Sequence, residues 1–75
     1  MRKIINGKLY DTEKSELLYF DESTRRAFYR TSKGAFFMFY SNGEIVPKTE
    51  DEAMEYLGIH DIDKYIEIWG DIDEA

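Results

Sequence analysis

The sequence predicts an α+β domain: an antiparallel β-meander of four to five strands, followed by two short C-terminal helices packed on one sheet face. Three observations carry this. Short β-rich runs punctuated by Asn-Gly and Lys-Gly turn signals fill residues 1–48. Two capped helical patterns fill residues 49–70. A block of strands followed by a block of helices, rather than an alternation of the two, is the order of α+β layers and not of a parallel α/β sheet. The 75 residues form one domain, 1–75, near the lower size at which a core alone sustains a fold. There is no cysteine, which excludes disulfide staples and thiolate metal sites. Stability must therefore come from a dense aromatic core, each buried ring removing about 150–250 Å² from water. Dimerisation would help so small a domain.

In chain order, Ile4-Ile5-Asn6-Gly7-Lys8-Leu9-Tyr10 reads as a hairpin, because Asn-Gly accepts the positive φ values of a type I′ turn. Asp11 and Thr12 each offer a side-chain oxygen that could cap one helical turn. Glu16-Leu17-Leu18-Tyr19-Phe20 is an apolar run of strand length, although its leucines also suit a helix, so residues 13–20 are open between the two. A polar turn at residues 21–24 leads into a central hairpin with strands at 25–31 and 35–40. Gly34 suits the left-handed position that ends its loop. Asn42-Gly43 returns the chain to a strand at 44–46, and Pro47, which cannot donate to a ladder, marks that strand as an edge or its end.

Thr49 and Glu52 form a capping box, with Ala53, Met54 and Leu57 as the buried stripe and Gly58 as a C-terminal stop. Asp61 caps a second helix, in which Ile62, Tyr65, Ile66 and Trp69 repeat at helical spacing up to Gly70. The last residues, 71–75, read as an acidic half-turn or frayed end. The expected core is Ile5, Leu17, Tyr29, Phe37, Phe39, Ile45, Met54, Leu57, Ile66 and Trp69.

The central hairpin holds four of the ten basic residues. Alternation places Ala27, Tyr29, Phe37 and Phe39 on one face, expected beneath the helices. The opposite face, Arg26, Phe28, Arg30, Phe36, Met38 and Tyr40, is then the candidate interaction surface.

Charge is asymmetric. Residues 1–48 hold nine Lys/Arg and six Asp/Glu, whereas residues 49–75 hold one Lys and ten Asp/Glu. The opening residues have no apolar run long enough for a signal peptide, and no later segment could span a membrane, so the chain reads as cytoplasmic. Catalytic constellations are missing from the sequence. His60 is the only histidine and reads as an exposed residue between the helices. No base therefore stands beside a nucleophile, and His60, Asp61, Asp63 and Glu67 match no metal-loop spacing. No catalytic, metal or cofactor-binding residue is assigned.

The residues Lys3-Ile4-Ile5-Asn6-Gly7-Lys8-Leu9-Tyr10-Asp11-Thr12-Glu13, the centre Tyr29-Arg30-Thr31-Ser32-Lys33-Gly34 with Phe36 and Phe37, Pro47 with Glu52-Ala53, and the ending Tyr65-Ile66-Glu67-Ile68-Trp69-Gly70-Asp71 together resemble a family of small uncharacterised proteins. That family belongs to Gram-positive bacteria and their phages and mobile elements. The resemblance implies a small soluble accessory protein and brings no activity or site residues with it. The segment after Phe20 is shorter than in the family pattern.

These features predict a non-enzymatic protein that binds another macromolecule, most plainly a protein. One form of it is an acidic inhibitor whose helical side competes for the basic groove of a nucleic-acid-handling or defence protein. The alternative is a single-stranded nucleic-acid-binding module, in which Arg26 and Arg30 hold phosphates and the aromatics of the same face stack bases.

Overall fold

The computed structural model describes residues 1–70. Six strands, β1 (Arg2–Ile5), β2 (Lys8–Asp11), β3 (Glu16–Asp21), β4 (Arg26–Arg30), β5 (Phe36–Phe39) and β6 (Ile45–Lys48), precede two helices, α1 (Glu50–His60) and α2 (Ile62–Trp69). The α+β class is as the sequence predicts, but the strands divide between two sheets. β1 and β2 form their own antiparallel pair, and β3-β4-β5-β6 form a four-stranded antiparallel sheet in chain order. Asn6 and Gly7 take φ of 52° and 75°, the doubly left-handed turn that matches the twist of a tight hairpin. Residues 13–20, open between strand and helix, form turns and then β3.

Asp11 caps a single turn at residues 12–14: its Oδ1 accepts from the Glu13 N–H at 2.9 Å, an Asx turn, and its carbonyl accepts from the Lys14 N–H at 3.3 Å. Pro47 lies within β6, an outer strand of the sheet, where its missing N–H costs no ladder bond.

β3 carries a bulge. Leu17 lies opposite Tyr29 and Tyr19 opposite Phe28, with Leu18 as the extra residue. An inserted residue breaks the alternation of sides, so Leu18 and Tyr19 both join the cluster under the helices. Leu17, expected in the core, is left half exposed. Of the other expected core residues, Phe37, Ile45 and Leu57 are buried, whereas Ile5, Tyr29, Phe39, Met54, Ile66 and Trp69 are only partly so.

The two faces of the sheet are covered in the opposite sense to the one predicted. The helices lie on the face of Phe28, Phe36 and Met38, which pack with Leu18, Ala53 and Leu57. The β1–β2 hairpin lies on the other face, where Tyr10 and Ile5 meet Phe37, Ile45, Tyr29 and Phe39. The physical reason is that Phe36, Phe37 and Met38 of β5 are all buried. A strand apolar on both faces has no preference that alternation can reveal.

α1 also runs past Gly58 to His60, so Gly58 is helix interior rather than a stop. Asp61 ends α1 and caps α2 at once: its N–H donates to the Leu57 carbonyl at 2.8 Å and its Oδ1 accepts from the Lys64 N–H at 3.1 Å. Trp69 Nε1–H donates to Glu50 Oε2 at 3.1 Å, tying the second helix back to the first. The expected acidic half-turn at 71–75 lies outside the described residues.

Candidate functional site

The six residues of the predicted interaction surface share one face of the sheet but do not form one open surface. Phe28 and Phe36 are 1% and 5% exposed and stack on each other with centroids 6.0 Å apart. Phe36 continues to the Trp69 ring at 5.7 Å. Met38 is buried beside them. Arg30, near the end of its strand, donates to Glu16 Oε1 at 2.8 Å. Only Arg26 and Tyr40 remain together at the rim, with the guanidinium 5.1 Å from the ring centroid. Both arginines reach solvent, standing at the two ends of β4.

Arg26, Tyr40, Phe28 and Met38 line a groove of about 400 Å³, closed on its other side by Tyr56 and His60 of α1. Tyr56 packs on Phe28 at 5.0 Å and Tyr19 at 6.0 Å. Its hydroxyl is buried without a hydrogen-bond partner among the described residues. Burial first, and then the charge of Asp21, hold that hydroxyl above the ordinary tyrosine range, so it is a weaker acid than usual and no nucleophile at neutral pH. His60 is exposed, as the sequence suggests, but ends a helix instead of standing in a linker, with its ring 4.3 Å from that of Tyr56. Among the described residues, no group of three or more His, Asp or Glu is placed to hold a metal ion.

Several helical acids have local structural roles. Glu52 Oε1 accepts from the Thr49 N–H at 2.8 Å, completing the capping box. That backbone bond, and then the Thr49 side chain, hold the Glu52 carboxyl below its ordinary range. Glu50 accepts from Trp69, and Glu67 pairs with Lys64 at 3.0 Å.

Exposed apolar side chains lie on both sides of the molecule: Ile59 of α1 and Ile62 of α2 are 73% and 58% exposed, and a larger group lies on the hairpin side. Ile4 and Leu9 are cross-strand partners on the outer face of the β1–β2 hairpin, 72% and 50% exposed. Leu17 and Phe20 of β3, 49% and 50% exposed, are paired with Tyr29 and Ala27, on the sheet face the hairpin only partly covers. β3 is also an outer strand, with no partner on its far side among the described residues. The sequence held a signal for Ile4 and Leu9: with Ile5 and Tyr10 turned to the sheet, alternation turns Ile4 and Leu9 away.

Three grooves adjoin around this pole. Arg2, Lys3, Ile4 and Leu9 line one of about 570 Å³. Leu9 also lines a second, of about 390 Å³, with Lys8, Lys33 and Ala35. Lys33 in turn lines a third, of about 610 Å³, with Lys14, Glu16 and Arg30. Comparison with protein-family models, curated proteins and solved structures finds no match to this chain.

Proposed function

We propose that this chain is a non-catalytic domain that binds another protein, through its hairpin side. The observation that supports this is the placement of Ile4, Leu9, Leu17 and Phe20, four large apolar side chains each about half exposed or more, on one side of a 75-residue domain. Apolar surface left in water is unfavourable at about 25 cal/mol per Å², and contiguous apolar patches on small soluble domains commonly mark interaction sites. The outer edge of β3, unpaired among the described residues, adds free backbone donors and acceptors beside two of these side chains. The apolar core of the originally predicted surface is under the helices, so it is not the site in this reading. The nucleic-acid alternative loses its support for the same reason, since rings at 28 and 36 that pack inside the domain are not free to stack on bases.

The test is site-specific photo-crosslinking in the producing cell, with a photoreactive residue at Leu9 or at Phe20, and a control at the exposed Asp63 of α2. A discrete adduct from the two hairpin-side positions, weakened by Ile4→Ser and missing from the Asp63 control, is the expected outcome. Absence of any discrete adduct would remove the protein-binding reading. Adducts from Asp63 alone would move the site to the helical face.

A further inference from the structure

We infer that the partner segment is acidic and carries apolar anchors, and that it lies along the strip of grooves running from the outer face of the β1–β2 hairpin to the β4–β5 turn. This deepens the protein-binding reading and rests on it. The first observation is charge. The strip is lined by Arg2, Lys3, Lys8, Lys14 and Lys33, half of the ten basic residues in the chain. None of these five is in either ion pair found among the described residues, which are Arg30–Glu16 and Lys64–Glu67. The single acid lining the three grooves, Glu16, is already held by Arg30. A protein of net charge −6 thus gathers half of its basic residues along one strip, with Asp11 opposite Arg2 in the hairpin register, and this excess of positive charge favours an anionic partner in both steering and orientation.

The second observation separates a protein segment from a polynucleotide. Ile4 and Leu9 are exposed within the strip and Ala35 lines its middle groove, which gives aliphatic side chains somewhere to sit. The only aromatic ring in the strip, Tyr10, is buried 5.5 Å from Phe37 and offers no face for a base. Single-stranded nucleic acid binds by phosphate contacts together with ring stacking, and the strip supplies only the first of these. An acidic peptide with alternating apolar residues uses both the lysines and the aliphatic floor. About twelve extended residues span roughly 40 Å, which matches the 39 Å longest dimension of the molecule and so suffices to cross the strip.

The experiment uses the whole chain and a fluorescent peptide of that length alternating leucine with glutamate, with anisotropy measured at low and at physiological salt. Three comparison probes are the glutamine version, the lysine version and an oligothymidylate. The expected result is binding of the acidic peptide alone, weakening as salt rises. The double variant Lys8→Glu/Lys33→Glu should lower its affinity by about tenfold or more, since each tenfold corresponds to about 1.4 kcal/mol. Leu9→Ser should lower it at unchanged salt dependence, and Glu55→Lys on α1 should leave it unchanged. All four positions are exposed, so these variants keep the core intact. Equal or tighter binding of the oligothymidylate would overturn the inference in favour of a phosphate polymer, and binding of the glutamine peptide at equal strength would overturn the charge argument. If crosslinking at Leu9 and Phe20 captures a discrete partner while the acidic peptide does not bind even at low salt, the partner chemistry is wrong and the protein-binding reading stands. If both fail, the reading itself fails.

Discussion

The Tyr56 hydroxyl is buried with no hydrogen-bond partner among the described residues, and a buried polar group left unpaired costs about 1–3 kcal/mol. The ring, in contrast, is well used, against Phe28 at 5.0 Å and His60 at 4.3 Å. Tyr56→Phe keeps the ring and removes the unpaired group. It should leave the stability at pH 7 unchanged or raise it by up to about 1 kcal/mol in urea unfolding; a clear loss would show that the hydroxyl finds a partner in solution. The same variant has a pH signature. Because burial raises the Tyr56 pKa in the folded chain, the unfolded chain ionises first, at about pH 10. Stability from this group is therefore fully present below that pH and is lost as pH rises through the raised folded value. The alkaline loss of stability should be shallower in Tyr56→Phe than in the parent.

Two expectations at the scale of the element come from α1. Gly58 lies inside this helix, and a Cβ there would meet only Tyr65 Cδ2, at 3.8 Å. Alanine is about 0.8–1 kcal/mol better than glycine in a helix interior, so Gly58→Ala should raise the urea midpoint. At a left-handed stop the same change would lower it, so the measurement decides how far the helix runs. The N-terminal end of α1 rests on the capping box. Glu52 has a lowered pKa in the folded chain, so its contribution is present above its ordinary value of 4.5 and is lost as pH falls through the folded value. Glu52→Gln should flatten the stability profile in that acid range, and Thr49→Ala should cost about 1 kcal/mol at neutral pH. The capping box was legible because it is a local pattern with a local mechanism, as was the Asn6-Gly7 turn. The bulge at Leu18 was not, because an inserted residue depends on the partner strand and leaves no mark in the apolar run 16–20. That single extra residue exchanged Leu17 for Leu18 in the core. The face of the sheet that takes the helices was equally hidden, since Phe36, Phe37 and Met38 satisfy either choice. Arg26 and Arg30 pointed to an open face by their charge, but they stand at the strand ends, and the residue between them, Phe28, is almost fully buried.

At the scale of the whole molecule, the domain is a four-stranded sheet with an acidic helical layer on one face and a basic hairpin on the other, and the two layers are held unequally. The helical layer is anchored by Ala53 and Leu57, both at 0% exposure, and by the stacked rings beneath them. The hairpin has Tyr10 as its one buried apolar side chain, supported by the partly buried Ile5, and two short strands alone are marginal in water. Local opening of such a weakly held unit takes less free energy than global unfolding. The hairpin also supplies Arg2, Lys3, Lys8 and Leu9 to the basic strip, so the proposed binding surface depends on its docking. Tyr10→Ala removes the edge-on contact with Phe37 and should release the hairpin while leaving the sheet and helices folded. In hydrogen exchange, amides 2–11 should lose protection in this variant, while those of β4, β5 and α1 keep most of theirs. Binding of the acidic peptide should fall with the loss of hairpin protection, although no lysine has been changed. Phe37→Ala gives the contrast: its ring, at 0% exposure, also stacks on Tyr29 at 5.1 Å within the sheet, and its removal should cost about 3–5 kcal/mol, a large share of the stability of a small domain. Uniform loss of protection in Tyr10→Ala would show that the hairpin and the sheet unfold as one unit, and that the surface on the hairpin is as rigid as the core beneath it.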